Sequence, residues 1–244
     1  MKKKVFMIIG CCFVLLVLGG ILAEIYYFQP KQLHTLETRM LKELSVEYGI
    51  PFKVSETKFA KALGDEEGIY TASVYPQDQR DLEFQVHVSE GGSIIHESYK
   101  ETKWRSEAIK LWEPFMSRFG DISYAVNIHI PEEIANQYSV DDTYGDIYKV
   151  HKHNMREYLF IGEIESSFDK ERETAKIMEV ANHALNRDLN DFSIEWLYFN
   201  SGKKSEDVFE MKERIPSFSW RFSKNSLQKG VTEDNLDQFF MQHE

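Results

Sequence analysis

Nineteen consecutive uncharged residues, Val5–Ala23, stand behind the start Met1-Lys2-Lys3-Lys4. About 20 helical residues at 1.5 Å each are needed to cross the hydrocarbon core of a bilayer. The run is therefore expected to span a membrane, and it contributes nothing to a water-soluble core. Glu24 ends it, and Ile25, Tyr26, Tyr27 and Phe28 follow, aromatic residues of the kind that settle at headgroup level. Three lysines before the span favour a cytoplasmic N-terminus. The expectation is a single-pass anchor in the cell membrane over residues 1–30, with all that follows facing outside the cytoplasm.

Two other readings of the segment compete with this one. A cleaved signal peptide would use the same basic start, the apolar core Val5–Leu18 and the small residue Ala23. Ile21 suits the position two before such a cleavage site poorly, and the apolar run continues past Gly19-Gly20, so a retained anchor fits better. Ile8-Ile9-Gly10-Cys11 looks like a bacterial lipobox, but only about six residues of apolar core precede Cys11 where roughly 7–15 are needed. Cys11 and Cys12 are the chain's 2 cysteines. The remainder therefore has no thiolate nucleophile, thiolate ligand or disulfide, which suits a Gram-positive envelope.

Charge narrows the partners. Removing the three lysines and Glu24 of the first thirty residues from 29 Lys+Arg and 40 Asp+Glu leaves a net charge of −13 on the rest. Nucleic-acid binding needs clustered cations to displace counterions from phosphates, and none is evident. With 42% hydrophobic and 28% charged residues, the chain has the composition of a folded protein and not of a disordered polymer.

Helical periodicity is clear in three places. Leu33, Leu36, Met40, Leu41 and Leu44 share a face over 31–48, and Trp104, Ala108, Leu111, Trp112, Phe115 and Phe119 over 101–119. Thr174, Ile177, Met178, Ala181, Ala184, Leu185 and Leu189 do so over 169–189. Gly49, Gly120 and Asn190 stand just past the three ends, where a left-handed residue closes a helix. Pro114 is expected to kink the second helix or shift its start.

Runs with period-two alternation follow each helix. They are 52–59, 69–75 and 82–88; then 122–130, 147–150 and 158–165; then 192–200, 208–214 and 217–223. The tail from Thr232 to His243 reads as a short helix with Thr232 as cap. The helix ends are 71 and 70 residues apart, and Arg118-Phe119-Gly120-Asp121-Ile122-Ser123 is echoed by Arg187 to Ser193. The expected fold class is α+β: an anchor followed by three docked αβββ units, each a helix and an antiparallel meander. Their bounds are 31–100, 101–168 and 169–244, the last ending in the tail helix.

Chemistry is sparse. There is no nucleophile elbow, Walker loop, dinucleotide fingerprint or His-Glu-x-x-His motif, and no cofactor is expected. Gly91-Gly92-Ser93 lies between two strand-like runs and reads as a hairpin turn. His151-Lys152-His153 has ligand character, because residues two apart on a strand project from one face. Asp141, Asp142 and Asp146 are near enough in sequence to complete a site for a divalent metal, although a solvated polar loop has the same composition. Glu132-Glu133, Asp141-Asp142 and Glu163 with Glu165 are the carboxylate pairs from which a glycoside hydrolase could be built. Ile194, Trp196 and Tyr198 lie in a strand apolar on both faces, the pattern of a central core strand.

Lys2–Lys4, the span, Glu47-Tyr48-Gly49-Ile50-Pro51-Phe52 and Asp81-Leu82-Glu83-Phe84-Gln85-Val86 give the chain a loose likeness to a known group. It resembles small single-pass membrane-anchored envelope proteins of unknown function from Bacillus-like Firmicutes, best over the first 120 residues. That resemblance implies an envelope address and carries no catalytic residue. The functional expectation is a non-enzymatic interaction module displayed on the outer face of the membrane for contact with other envelope proteins. The alternatives are a wall-directed hydrolase using paired carboxylates and a divalent-metal-binding protein.

Overall fold

The computed structural model describes residues 29–61, 67–120, 122–164, 169–199, 216–229 and 238–242. The expected span Val5–Ala23, Glu165, the expected strand 208–214 and most of the tail lie outside these. Among the described residues, no helix is long and apolar enough to cross a membrane. The fold is α+β with two sheets, and the chain divides into two units between Tyr99 and Lys100.

The first unit is one helix and an antiparallel meander. Helix α1 (Gln29–Tyr48) buries Leu36, Met40 and Leu44, one residue per turn along a single stripe. At about 1.5–3 kcal/mol for each large apolar side chain removed from water, this stripe outweighs any propensity term. Gly49, at φ +69°, closes the helix as its N–H reaches the Ser45 carbonyl at 3.0 Å. Strands β1 (Phe52–Ala60), β2 (Ile69–Pro76), β3 (Phe84–Ser89) and β4 (Ile94–Glu97) pair in chain order. Strands β1 and β4 are the edges, and the register of β1 slips at a bulge between Val54 and Glu56.

Alternation decides the two faces of this sheet. Ala72, Val74, Phe84, Val86 and Val88 point into the core, where Phe52, Phe84 and Tyr99 meet ring on ring. The opposite face carries Lys53, Lys58, Thr71, Ser73, Gln85, His87 and His96. The expected hairpin at Gly91-Gly92 is present. Gly92 takes φ +83° and its N–H bonds the Ser89 carbonyl at 2.9 Å.

The second unit opens with α2 (Tyr99–Met116), followed by a tight 3₁₀ turn at Ser117–Phe119 and Gly120 at φ +76°. Pro114 is accommodated inside the helix, one turn ahead of that tightening. Strand β5 (Ser123–His129), the short helices α3 (Glu132–Ala135) and α4 (Tyr144–His151), and β6 (Arg156–Ile164) come next. Helix α5 (Lys170–Asn186), β7 (Asp191–Phe199), β8 (Phe218–Ser223), α6 (Lys224–Gln228) and β9 (Phe240–Gln242) complete the unit. The sheet order is β5-β6-β7-β8-β9, with only the β6–β7 pairing parallel.

That parallel pair corrects the expectation of separate second and third meanders. Helix α5 carries the chain from the end of β6 back to its start, so β7 runs alongside β6 in one sheet. The division expected near residue 169 therefore falls inside a single sheet. Three local expectations also change. Residues 147–150 belong to helix α4, because Thr143 caps it by accepting from the Asp146 N–H at 3.2 Å. Asp188, at φ 56°, takes the left-handed position after α5 that was expected of Asn190. Residues 240–242 of the expected tail helix form a strand, pairing with β8 from Phe218↔Gln242 to Trp220↔Phe240.

All 4 tryptophans, Trp104, Trp112, Trp196 and Trp220, are in this unit, each at 1% exposure or less. Leu111, expected in the α2 stripe, is 43% exposed. Strand β7 is central and buried on both faces, with Trp196 and Tyr198 on one side and Leu197 and Phe199 on the other.

Candidate functional site

Strand β6 presents Glu157, Leu159, Ile161 and Glu163 to the same face, alternate residues pointing one way, and all four are buried. Helix α5 runs back over that face. Its first turns meet Glu163, and the residue after its end, Arg187, meets Glu157. Two buried carboxylates thus mark the two ends of one strand.

At the α5 start, Asp169 caps the helix by accepting from the Glu171 and Arg172 N–H groups at 3.1 and 3.2 Å. This places Glu173 and Lys176 one turn apart, facing inward. Lys176 Nζ donates to Glu163 Oε1 at 2.8 Å and lies 3.0 Å from Glu173 Oε2. Tyr198 Oη donates to Glu173 Oε2 at 2.9 Å, Arg172 Nε to Glu173 Oε1 at 2.8 Å, and Trp196 Nε1 to Glu163 Oε2 at 3.3 Å. Glu173 is wholly buried and Glu163 is 7% exposed. Burial pushes the Glu163 carboxyl above the ordinary range, and the charge of Glu173 adds to this against the pull of Lys176. Burial also works against the Lys176 charge, but the two glutamates outweigh it and hold the ammonium above its usual value. A groove of about 420 Å³ lies in front, lined by Arg118, Phe119, Arg172, Ala175, Lys176 and Glu179. Arg118 is paired with Glu179 at 2.6 Å.

At the other end, Glu157 is 1% exposed and fully engaged. Oε1 accepts from Tyr144 Oη at 2.6 Å and from Arg187 Nη2 at 2.5 Å. Oε2 accepts from Trp112 Nε1 at 2.8 Å and from Arg187 Nε at 3.1 Å. The guanidinium forks onto both oxygens and lies between the rings of Trp112 and Tyr148, 5.0 and 4.8 Å from their centroids. Burial and the Glu157 charge together push the Tyr144 phenol far above its normal value. His183 stacks on Phe115 at 3.9 Å, and burial followed by the charges of Arg187 and Arg118 lowers its basicity.

The residues singled out from sequence go elsewhere. His151 ends α4 and its Nε2 lies 2.9 Å from Tyr138 Oη, while His153, in the 3₁₀ turn that follows, lies 3.8 Å from Asp188. Helical geometry turns the two imidazoles to different partners, whereas a strand would have aligned them. Asp142 is held by Ser139 and Asp146 by Thr143 and Lys149. Among the described residues no group of three or more His, Cys, Asp or Glu is arranged to hold a metal ion. Glu132 and Glu133 are exposed in the first turn of α3. Among the described carboxylate candidates, Glu163 joins a buried network, where it shares Lys176 with Glu173.

Sequence reasoning missed Glu157, Glu173, Lys176 and Arg187, although the signal was present. Glu157 has the same strand parity as Leu159 and Ile161, and Glu173 precedes Ile177 and Ala181 by four and eight residues, on the buried stripe of α5.

No family model matches the chain, and no curated protein matches it. Among solved structures, the crystal structure of a DUF5037 family protein from Ruminococcus gnavus resembles it with a TM-score of 0.50 at 16% identity. The likeness covers 77% of this chain and 90% of that one, and it is a likeness of fold.

Proposed function

We propose that the chain is a single-pass membrane-anchored protein that holds its two α+β units outside the cytoplasm as a non-enzymatic module for contact with other envelope proteins. The observation that carries the non-enzymatic part is the state of the buried carboxylates. Glu157, Glu163 and Glu173 each accept from cations and from indole or phenol donors of the core, and their bonds tie α5 and the residue after it to β6 and β7. A catalytic acid or base needs an oxygen within reach of a substrate proton, and these oxygens are already occupied. The anchor part is supported by the uncharged run behind three lysines, and the net charge of −13 beyond it argues against nucleic-acid partners.

Protease treatment of intact cells carrying the full chain tests the topology. The acidic portion should be digested while the cytoplasmic start is protected. Protection of the acidic portion until the cells are lysed would overturn the proposal. Cross-linking in the same cells, followed by solubilisation, should yield a discrete adduct with another envelope protein.

A second reading has one observation in its favour. The Glu163 carboxyl is held above its normal range, and its partner Lys176 lines the 420 Å³ groove, an arrangement in which a proton donor could act. In that reading the protein is a wall-directed hydrolase. Release of sugars or peptides from purified wall by the wild-type chain, abolished in Glu163→Gln, would place it ahead of the first.

A further inference from the structure

We infer that His87 and His96, on the polar face of the first unit's sheet, form a two-imidazole site for a divalent first-row transition-metal cation, with Cu²⁺ the tightest. The residues are direct cross-strand partners in the β3–β4 pair, and their rings face one another at 6.0 Å with planes 27° apart. The two imidazoles sit opposite one another in a strand pair, beside the register shift between His87 and Val88. A metal–nitrogen bond of roughly 2.0–2.1 Å brings two ligating nitrogens to about 3 Å of each other. The ring separation exceeds that distance, and the exposed His96 side chain has room to turn toward His87.

The third strand supplies what orients the first ligand. Thr71 is the β2 partner of His87, and its Oγ1 lies 3.2 Å from His87 Nδ1. With Nδ1–H donating to the threonine oxygen, the lone pair of His87 is on Nε2, directed away from Thr71. A hydrogen bond on the far nitrogen is how metal-binding histidines are usually fixed in tautomer and ring angle. Lys58 stands in the same cross-strand row beyond Thr71, and its charge is offset by Glu56 at 2.9 Å. The acidic character of the chain favours cation approach.

The donor set selects the metal. Two neutral imidazoles leave the remaining coordination positions to water, since no third His, Cys, Asp or Glu among the described residues completes the site. A nitrogen-and-oxygen tetragonal set is the preference of Cu²⁺, which also heads the affinity order among the divalent first-row ions. Zn²⁺ and Ni²⁺ bind the same pair more weakly. This inference is independent of the proposed function and concerns the other unit.

The test uses the full chain, purified in detergent without a polyhistidine tag and titrated with Cu²⁺ alone, with electron paramagnetic resonance at one equivalent. Wild type should show hyperfine structure from two imidazole nitrogens. His87→Ala and His96→Ala should each leave one nitrogen and weaken binding by about 100-fold, and Thr71→Val by roughly 10-fold. The double variant His151→Ala/His153→Ala should bind as wild type does. His96 is exposed, so His96→Asn separates loss of a ligand from loss of fold, and its melting curve without metal should match wild type. A spectrum with one nitrogen in wild type, or unchanged affinity in His87→Ala and His96→Asn, would overturn the site.

Discussion

Glu157 and Glu163 lie six residues apart on one face of β6, roughly 20 Å at 3.3 Å per residue, and both are paired to the helix that follows. Their surroundings differ in kind. Glu157 meets a guanidinium that is planar, forked and clamped between two aromatic rings, so every oxygen lone pair has a donor and every donor is held. Glu163 shares one flexible ammonium with a second carboxylate, and its raised pKa records burial first and the charge of Glu173 next, which together outweigh the pull of Lys176. A buried charge can be stabilising or a burden depending on whether its partner is dedicated or divided.

Three substitutions test this difference. The largest effect is expected for Arg187→Leu, which strands a buried carboxylate and should cost about 3–5 kcal/mol of unfolding free energy. Urea unfolding followed by tryptophan fluorescence reads this cleanly, because all 4 tryptophans are in the second unit. A loss below about 1 kcal/mol would remove the contrast between the two ends.

The second substitution is Glu163→Gln. The folded-state pKa of Glu163 lies above its unfolded value, so the folded state holds more protons across that interval. The stability this provides is present at low pH and is lost as pH rises through the raised value. At neutral pH the glutamine sheds the unfavourable charge but keeps only one of the two hydrogen bonds, because its NH2 cannot accept from the Lys176 ammonium or the Trp196 N–H, so the change should stay within about 1–2 kcal/mol. Destabilisation as large as that of Arg187→Leu would make the two ends equivalent.

The smallest effect concerns acid. His183 is less basic when folded, so its contribution is present above the ordinary histidine range and is lost as pH falls through that range. His183→Phe should therefore lose less stability than wild type between about pH 7 and pH 5. Parallel losses in melting temperature for the two proteins would assign the acid sensitivity to other groups.

Much of the fold was legible because long helices leave a redundant signal. Each of α1, α2 and α5 repeats its apolar stripe over several turns, and Gly49 and Gly120 end the first two at left-handed positions. Short elements lack that redundancy. Ile147-Tyr148-Lys149-Val150 has strand composition, and only the cap at Thr143 marks it as helix. Alternation also cannot distinguish a parallel neighbour from an antiparallel one, so the β6–β7 pairing depended on where α5 delivers the chain. The candidate residues were the least legible. A glutamate on a buried stripe reads as an error in the pattern until its arginine or lysine, 13 to 30 positions away, is brought beside it.

The outer strand of the first sheet has a further consequence. Strand β1 has nine residues, long enough to invite a foreign strand, yet it bends at the Val54–Glu56 bulge and exposes Lys53, Glu56 and Lys58 along its length. Kinked and charged borders of this kind do not template further hydrogen-bonded ladders. Along this border, copies crowded at high local density can stay separate, without zipping into a shared sheet.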